Sequence, residues 1–152
     1  MATWGEFEAA APAIAAAGRQ LIYRTETGQG LLATVRGAAP PRVHPIYVAV
    51  IDDRLVAFII DASPKAVDLA EDGRFALHAH QDPAVPHEFL MRGRARAIDD
   101  EAERAPFAAA WYFQASDEYR LFEFHVEHAV HGARGGPDDW PPRYTSWRSA
   151  AG

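Results

Sequence analysis

Alternating apolar and polar residues predict several short β-strands in the middle of the chain. Residues 46–51 and 55–60 are rich in β-branched side chains and are separated only by Asp-Asp-Arg, a spacing typical of a β-hairpin. Residues 75–81 and 89–98 alternate between apolar and polar positions, and in the second run three arginines occupy the polar face. The pattern therefore predicts antiparallel strands joined by short turns.

Two further runs are also predicted to be strands. Residues 31–36 follow a segment punctuated by glycines, and residues 121–131 form the longest predicted strand. In the longest strand, strict alternation places four apolar side chains toward the core. These are Phe122, Phe124, Val126 and Val130.

Three segments are predicted to be helices. Residues 3–18 open with the Thr-x-x-Glu spacing of a capping box and contain Pro12, which is expected to kink or split the helix. Residues 63–72 begin with Ser-Pro, a favourable helix start, and are closed by Gly73. Residues 99–115 carry acidic side chains in the first turn, where the helix dipole favours negative charge.

Six strands linked mostly by hairpins, with three helices at the seams, predict a mainly β (α+β) fold. The expected architecture is a six-stranded antiparallel β-barrel with peripheral helices. Residues 1–152 are predicted to be a single domain. Residues 132–152 are rich in Gly and Pro at their start and are predicted to be a loop-like tail carrying Trp140, Tyr144 and Trp147.

Composition narrows the class of protein. The chain has 152 residues, of which 49% are hydrophobic and 24% charged, as in an ordinary globular domain. A formal net charge of −6 provides no cationic surface for nucleic acid. Cysteine is absent, which excludes disulfides, thiolate metal sites and a cysteine nucleophile. No apolar run is long enough to span a bilayer, so we expect a cytoplasmic protein with neither nucleic acid nor membrane as a partner.

The strongest candidate for chemistry lies around the predicted hairpin. Residues 42–45 enter its first strand, and residues 63–65 follow its second strand. Because paired strands lie about 4.8 Å apart, four side chains are expected to converge, namely Arg42, His44, Ser63 and Lys65. Together with the free amides at a helix N-terminus, these groups suit a phosphate. The same residues also fit a solvated arginine and lysine beside an ordinary helix cap.

Five motifs follow one another in a fixed order. They are Leu-Leu-Ala-Thr-Val-Arg at 31–36, Arg-Val-His-Pro at 42–45, Ser-Pro-Lys-Ala-Val-Asp-Leu at 63–69, Arg-Phe-Ala-Leu at 74–77 and Arg-Gly-Arg-Ala-Arg-Ala-Ile-Asp-Asp at 92–100. This series, within about residues 28–130, resembles the pyridoxamine 5′-phosphate oxidase-like family. The resemblance implies a split β-barrel, a homodimer with flavin mononucleotide (FMN) at the subunit interface, and a flavin-dependent oxidoreductase of unknown substrate.

The resemblance also implies which residues bind the cofactor. Arg42 matches the strand arginine that contacts the flavin phosphate, and Ser63 and Lys65 match the phosphate-binding loop. The backbone at residues 43–46 and 58–60 would lie against the ribityl chain and ring. The implied cofactor-binding set is Arg42, Val43, His44, Pro45, Ile60, Ser63 and Lys65. No catalytic side chain is predicted, because the isoalloxazine ring carries the electrons.

Departures from the family's pattern argue against oxidation of pyridoxamine phosphate itself. Ile59 and Ile60 stand where the oxidase carries a hydroxyl residue, Tyr47 stands where it carries a lysine, and its C-terminal Arg-x-His element is missing. The alternative function is a non-catalytic cofactor-binding or sensing module on the same barrel. Such a module would hold the deazaflavin F420, or haem through a histidine such as His44 or His128, or no ligand.

The remaining polar clusters are interpreted as structural. His125 and His128 are three residues apart, a spacing that on a strand places them on opposite faces, and no metal site is predicted. Arg92, Arg94 and Arg96 are expected to pair with the acidic residues at 99–103 or with nearby glutamates. The aromatic run 111–113 fits either a subunit interface or one helix face in the core.

Overall fold

The computed structural model describes residues 1–150, in which four helices and eight strands follow one another along the chain. The helices are α1 (Trp4–Ala10), α2 (Pro12–Ile22), α3 (Pro64–Glu71) and α4 (Glu101–Ala110). The strands are β1 (Gln29–Thr34), β2 (Arg42–Tyr47), β3 (Ala49–Ile51), β4 (Arg54–Ile60), β5 (Arg74–His78), β6 (Glu88–Ile98), β7 (Tyr119–Ala133) and β8 (Arg143–Arg148). None of these helices has the length and hydropathy needed to cross a bilayer.

The described strands form one antiparallel sheet that curls into a split β-barrel. Its order is β2-β1-β5-β6-β7-β4-β3, and β8 pairs with β7. β7 is paired with β6 along one edge, and along its other edge with β4 at 119–123 and with β8 at 128–133. Between β4 and β8, Ala2 pairs with Val126 through hydrogen bonds of 2.9 and 2.7 Å. The predicted fold class, a mainly β split barrel, is confirmed.

The predicted number of six strands was too low for two reasons. Residues 46–51 were expected to form one strand, but Val48 separates β2 from β3. β2 pairs with β1, and only β3 forms the hairpin with β4. The tail predicted to be loop-like contains β8, a strand of six residues. Both errors concern which strand lies beside which, and local periodicity does not reveal this.

The inner face of the sheet holds the hydrophobic core. In β6, Phe89 and Met91 are fully buried, whereas the arginines at 92, 94 and 96 on the opposite face are exposed, as predicted. In β7, Phe122 and Phe124 are buried, again as predicted. Helix α2 packs across this core at Gly18, where an added Cβ would lie 2.4 Å from the Phe89 ring.

A β-bulge interrupts the pairing of β6 with β7. Gly93 pairs with Val126, but the preceding Arg92 pairs with His128, so Glu127 has no partner in β6. A Cβ at Gly93 would lie 1.9 Å from a backbone oxygen of β7, so this close approach of the strands requires glycine. One residue is thereby inserted into β7, which reverses the alternation beyond it.

The bulge changes which β7 side chains face the core. Ala129 is fully buried whereas Val130 is only half-buried, so the prediction that Val130 faces inward was wrong. His125 and His128 lie on the same outer face, opposite Arg94 and Arg92 respectively. The expectation that these two histidines occupy opposite faces was therefore also wrong, because it assumed strict alternation.

The helices begin close to where the sequence predicts. The capping box at Thr3 is present, and Pro12 splits the predicted helix into α1 and α2, of which α2 runs beyond the predicted end. Ser63 caps α3, and Gly73 follows it with a φ of 82°, a conformation that favours glycine. Asp100 caps α4, which ends before the predicted residue 115.

Candidate functional site

The residues predicted to bind the cofactor include most of β2, which lies at an edge of the sheet. Among residues 1–150, β2 pairs only with β1, so half of its backbone groups have no sheet partner there. Arg42 and His44 pair opposite the buried Thr34 and Leu32 and share their inner face, whereas Val43 faces outward and is 63% exposed. Pro45, which lacks an amide hydrogen, is also exposed and suits an edge strand.

Arg42 reaches helix α3 through a buried carboxylate. Asp68 is 1% exposed, and its Oδ2 accepts hydrogen bonds from Arg42 Nε at 3.0 Å and from Thr34 Oγ1 at 2.8 Å. Arg36 Nε lies 3.6 Å from the other carboxylate oxygen. The structure thus brings Arg42 to α3, although β2 pairs with β1 rather than with β4 as the sequence argument assumed. Asp68 was not singled out from the sequence.

Asp68 also determines which donors of Arg42 remain available. The carboxylate engages Nε, and within residues 1–150 the two terminal nitrogens have no hydrogen-bond partner. The Arg42 side chain is 40% exposed, so this fork of donors is accessible to a ligand. A guanidinium oriented in this way matches the oxygens of a phosphate.

The N-terminus of α3 supplies the other predicted residues. Ser63 Oγ accepts a hydrogen bond from the Ala66 amide at 3.3 Å, so Ser63 is the helix cap. Lys65 is half-buried and forms no ion pair with any residue from 1 to 150. Because residues three apart lie on the same side of a helix, Lys65 is adjacent to Asp68 and hence to the Arg42 contact. Ser63 and Lys65 thus lie at the start of the helix whose Asp68 contacts Arg42.

The electrostatic balance of this region is positive. Arg36, Arg42 and Lys65 outnumber the two carboxylates near them, Asp68 and Glu71, the latter 3.6 Å from Arg36. In addition, His44 Nε2 is buried and has no hydrogen-bond partner in the described part of the chain. Excess positive charge and an unsatisfied imidazole nitrogen both favour a bound polar group here.

The other residues singled out from the sequence, Ile60, Tyr47 and Trp111, each lie beside different neighbours. Ile60 ends β4 and is 50% exposed. Tyr47, where the oxidase has lysine, is 52% exposed, and its ring centroid lies 6.0 Å from that of Tyr112. Trp111 is buried against Phe58 at 5.3 Å, so this member of the aromatic run belongs to the core rather than to a subunit interface.

The arginine face of β6 pairs with carboxylates at Arg96, as predicted. Glu123 is 1% exposed and accepts hydrogen bonds from Arg96 at 2.9 Å and from two nitrogens of Arg54 at 2.8 and 2.7 Å. Glu103 of α4 accepts from both arginines at 2.8 Å. Although burial raises the pKa of Glu123, hydrogen bonds from His125 and Arg54 outweigh it and hold that pKa well below its usual range. This network fastens α4 to the sheet.

The histidines do not form a metal centre in the described residues. No group of three or more His, Asp or Glu side chains between residues 1 and 150 is arranged to hold a metal ion. His87 and His131 approach each other with ring centroids 6.1 Å apart. Burial, followed by the charge of His87, lowers the pKa of His131.

The curled sheet, with its open β2 edge beside the capped helix α3, defines a split-barrel protein. The sequence profile described as Pyridoxamine 5′-phosphate oxidase matches residues 17–131, most of the chain. The chain therefore belongs to the pyridoxamine 5′-phosphate oxidase-like family, and the resemblance seen in the sequence is confirmed. No curated protein sequence matches the chain.

Solved structures share the fold at low sequence identity. A heme-binding protein from Mycobacterium smegmatis is 19% identical with a TM-score of 0.64, and the match covers 88% of this chain but 57% of that one. The chain thus spans little more than half of that protein. A nimC/nimA family protein from Clostridium acetobutylicum is 15% identical with a TM-score of 0.59, covering 85% and 91%. The heme storage protein HutZ from Vibrio cholerae is 16% identical with a TM-score of 0.56, covering 69% and 85%.

Proposed function

We propose that this protein binds FMN by its phosphate between β2 and the start of α3 and acts as a flavin-dependent oxidoreductase. The observation that carries the proposal is the orientation of Arg42, whose Nε is held by the buried Asp68 while its terminal nitrogens remain accessible. Lys65 supplies a second cation one helical turn from Asp68. FMN, when bound, supplies the electron-transfer chemistry, and the protein supplies anchoring and orientation.

The chemistry of the donor set fits a phosphate dianion. The Arg42 fork, the Lys65 ammonium and the Ser63 hydroxyl offer charged and neutral donors, and the helix dipole of α3 adds to the positive potential. The free backbone edge of β2, from Val43 through Pro45, offers hydrogen-bonding groups to the ribityl chain and ring. Ile60, exposed at the end of β4, offers apolar contact on the other side.

We further propose a cytoplasmic homodimer in which the second copy covers the outer face of β1 and β2. Val43, Tyr47 and Leu31 lie on this face and are 63%, 52% and 39% exposed. Exposed apolar patches of this kind are typical of interaction surfaces. The open edge of β2, along which the cofactor is proposed to lie, borders this face, so the second copy would lie next to the cofactor. The substrate of such an enzyme would be a small molecule.

The test compares FMN with riboflavin, which lacks the phosphate. Replacing Arg42 and Lys65 together by alanine removes two charge-assisted contacts, so FMN affinity should fall about 100-fold or more while riboflavin affinity changes little. Isothermal titration calorimetry of the purified protein measures both. Arg19→Ala is the matched control, since Arg19 is 43% exposed and pairs only weakly with Glu8 at 3.8 Å. Equal losses for the two ligands would refute the phosphate assignment.

The second candidate function is a non-catalytic module that holds haem or F420 on the same barrel. Two observations favour it: the similar structures include a heme-binding and a heme storage protein, and His44 Nε2 is buried without a partner in residues 1–150. An absorption spectrum of the purified protein, with mass spectrometry of any released chromophore, distinguishes these ligands. If haem is bound through His44, then His44→Ala should abolish its absorption band. If FMN is bound, turnover with a nicotinamide donor separates an enzyme from a module.

A further inference from the structure

Three basic side chains stand in one row on the outer face of the sheet. The pairing of β6, β7 and β8 places Arg92 opposite His128, and His128 opposite Arg148. Directly opposed residues of neighbouring antiparallel strands have their Cβ atoms about 4.5–5.5 Å apart. Both arginines are exposed, and the imidazole is half-buried between them.

The β-bulge is what brings His128 into this row. In a regular strand His128 would face the core with Val126, two residues earlier. The extra residue at Glu127 turns His128 outward instead, and Gly93 on the facing strand allows the close approach that the bulge needs. Bulges are frequent beside functional sites because they redirect a side chain in this manner.

The two arginines of the row have no side-chain partner among the described residues. Within residues 1–150, neither Arg92 nor Arg148 forms an ion pair or a hydrogen bond through its side chain, whereas Arg96 on the same strand has two carboxylate partners. Two guanidinium groups on either side of one imidazole therefore keep their hydrogen-bond donors available to an anion.

The pKa of His128 reflects its burial and the two arginines beside it. Burial, followed by the charges of Arg148 and Arg92, lowers the pKa of His128, and only the exposed Glu127 acts in the opposite direction. On the same face of β7, His125 contacts the buried Glu123 at 3.2 Å, and Arg94 of β6 lies opposite His125. An anion over the row would therefore meet two guanidinium groups and an imidazole that gains a proton more readily once the anion is present.

We propose that Arg92, His128 and Arg148 form a binding site for the phosphoryl group of a small ligand. The site is distinct from the proposed FMN anchor, because Arg42 is on the inner face of β2 and this row is on the outer face of β6–β8. Leu90 and Val130, directly paired on the same outer face, provide an apolar surface next to the row for the rest of the ligand. The inference does not depend on flavin binding.

The test uses inorganic phosphate and the whole protein without added flavin. Imidazole NMR signals are followed against pH in chloride and in phosphate at equal ionic strength, with the His128 signal assigned from His128→Gln. Phosphate should raise the pKa of His128 by about one unit, the shift expected for about tenfold tighter binding to the charged form. Arg92→Gln and Arg148→Gln should each weaken phosphate binding about tenfold. Arg143→Gln, on the same strand β8 but paired with Asp139, should leave phosphate binding unchanged.

Two results would overturn the proposal. One is a His128 pKa that is the same in phosphate and in chloride, and the other is phosphate binding that persists undiminished in Arg92→Gln. Phosphate binding that is retained in the Arg42→Ala, Lys65→Ala protein would support a separate site, whereas its loss there would show that only the FMN anchor binds phosphate. Adenosine 5′-monophosphate identifies the source of the phosphoryl group: tighter binding than phosphate indicates a phosphorylated metabolite, and equal binding indicates the free ion.

Discussion

Glu123 provides the sharpest test of how this fold is held together. Its carboxylate is 1% exposed and accepts three hydrogen bonds from Arg54 and Arg96. The substitution Glu123→Gln keeps the size of the side chain but removes its charge and presents an amide to two guanidinium groups. Because both arginines also bind Glu103, the perturbation is confined to the buried centre of the network.

The expected loss of stability depends on how exposed Arg54 and Arg96 are. Removing one member of a buried ion pair typically costs about 3–5 kcal/mol when the remaining charge stays buried. The side chains of Arg54 and Arg96 are 22% and 46% exposed, so water and Glu103 partly compensate. We therefore expect the lower end, about 3 kcal/mol, which for a chain of this size lowers Tm by about 6–12 °C.

The pH dependence gives the prediction a second readout. Glu123 has a lower pKa in the folded protein than the ordinary glutamate value of 4.5, so its contribution to stability is complete above that pH and is lost as the pH falls toward the folded pKa. The glutamine variant has no such group. The difference in stability between wild type and variant should therefore narrow as the pH falls below about 4.5.

Urea unfolding followed by tryptophan fluorescence measures the free energy of unfolding for both proteins. The matched control is Glu103→Gln, which removes a carboxylate from the same two arginines at a site that is 35% exposed, where about 0.5–1 kcal/mol is expected. If both variants lose the same small amount, burial does not strengthen the Glu123 contacts and the reasoning is refuted.

Three further substitutions test other parts of the fold. Gly93→Ala should destabilise by about 2–3 kcal/mol because its Cβ meets the His125 carbonyl oxygen at 1.9 Å, and a wild-type Tm would contradict the bulge. Asp100→Ala removes the helix cap that accepts a hydrogen bond from the Glu103 amide at 2.9 Å, and it should lower the free energy of unfolding in urea by about 1 kcal/mol. An unchanged free energy would mean that the first turn of α4 is already frayed. Phe89→Ala should lower the free energy of unfolding by about 3–5 kcal/mol, measured by thermal unfolding. A loss below about 1 kcal/mol would show that α2 does not pack tightly on Phe89.

Features set by neighbouring residues could be predicted from the sequence. The hairpin turn at Asp52 and Asp53, both with positive φ, and the start of α3 at Ser63 are both present. The alternation of buried and exposed residues in β6 also follows the predicted pattern. These features depend on turn chemistry, capping and a two-residue period, all of which act over a few positions.

The candidate site could be predicted only in part. Arg42, Ser63 and Lys65 were identified from residue type and from the family resemblance. Asp68, which orients Arg42, was missed because an acidic residue within an amphipathic helix usually faces solvent. No local pattern indicates that this carboxylate is buried beneath β1 and contacts Thr34.

The sequence by itself determined the family, the mainly β class and the local starts of helices and hairpin. Only the tertiary structure decided that β2 pairs with β1, that residues 143–148 form β8, and that the bulge at Glu127 turns His128 outward. The physical reason is that strand partners and buried charges are selected by packing between residues far apart in the chain. Periodicity records which face of a strand is apolar, but not which strand lies beside it.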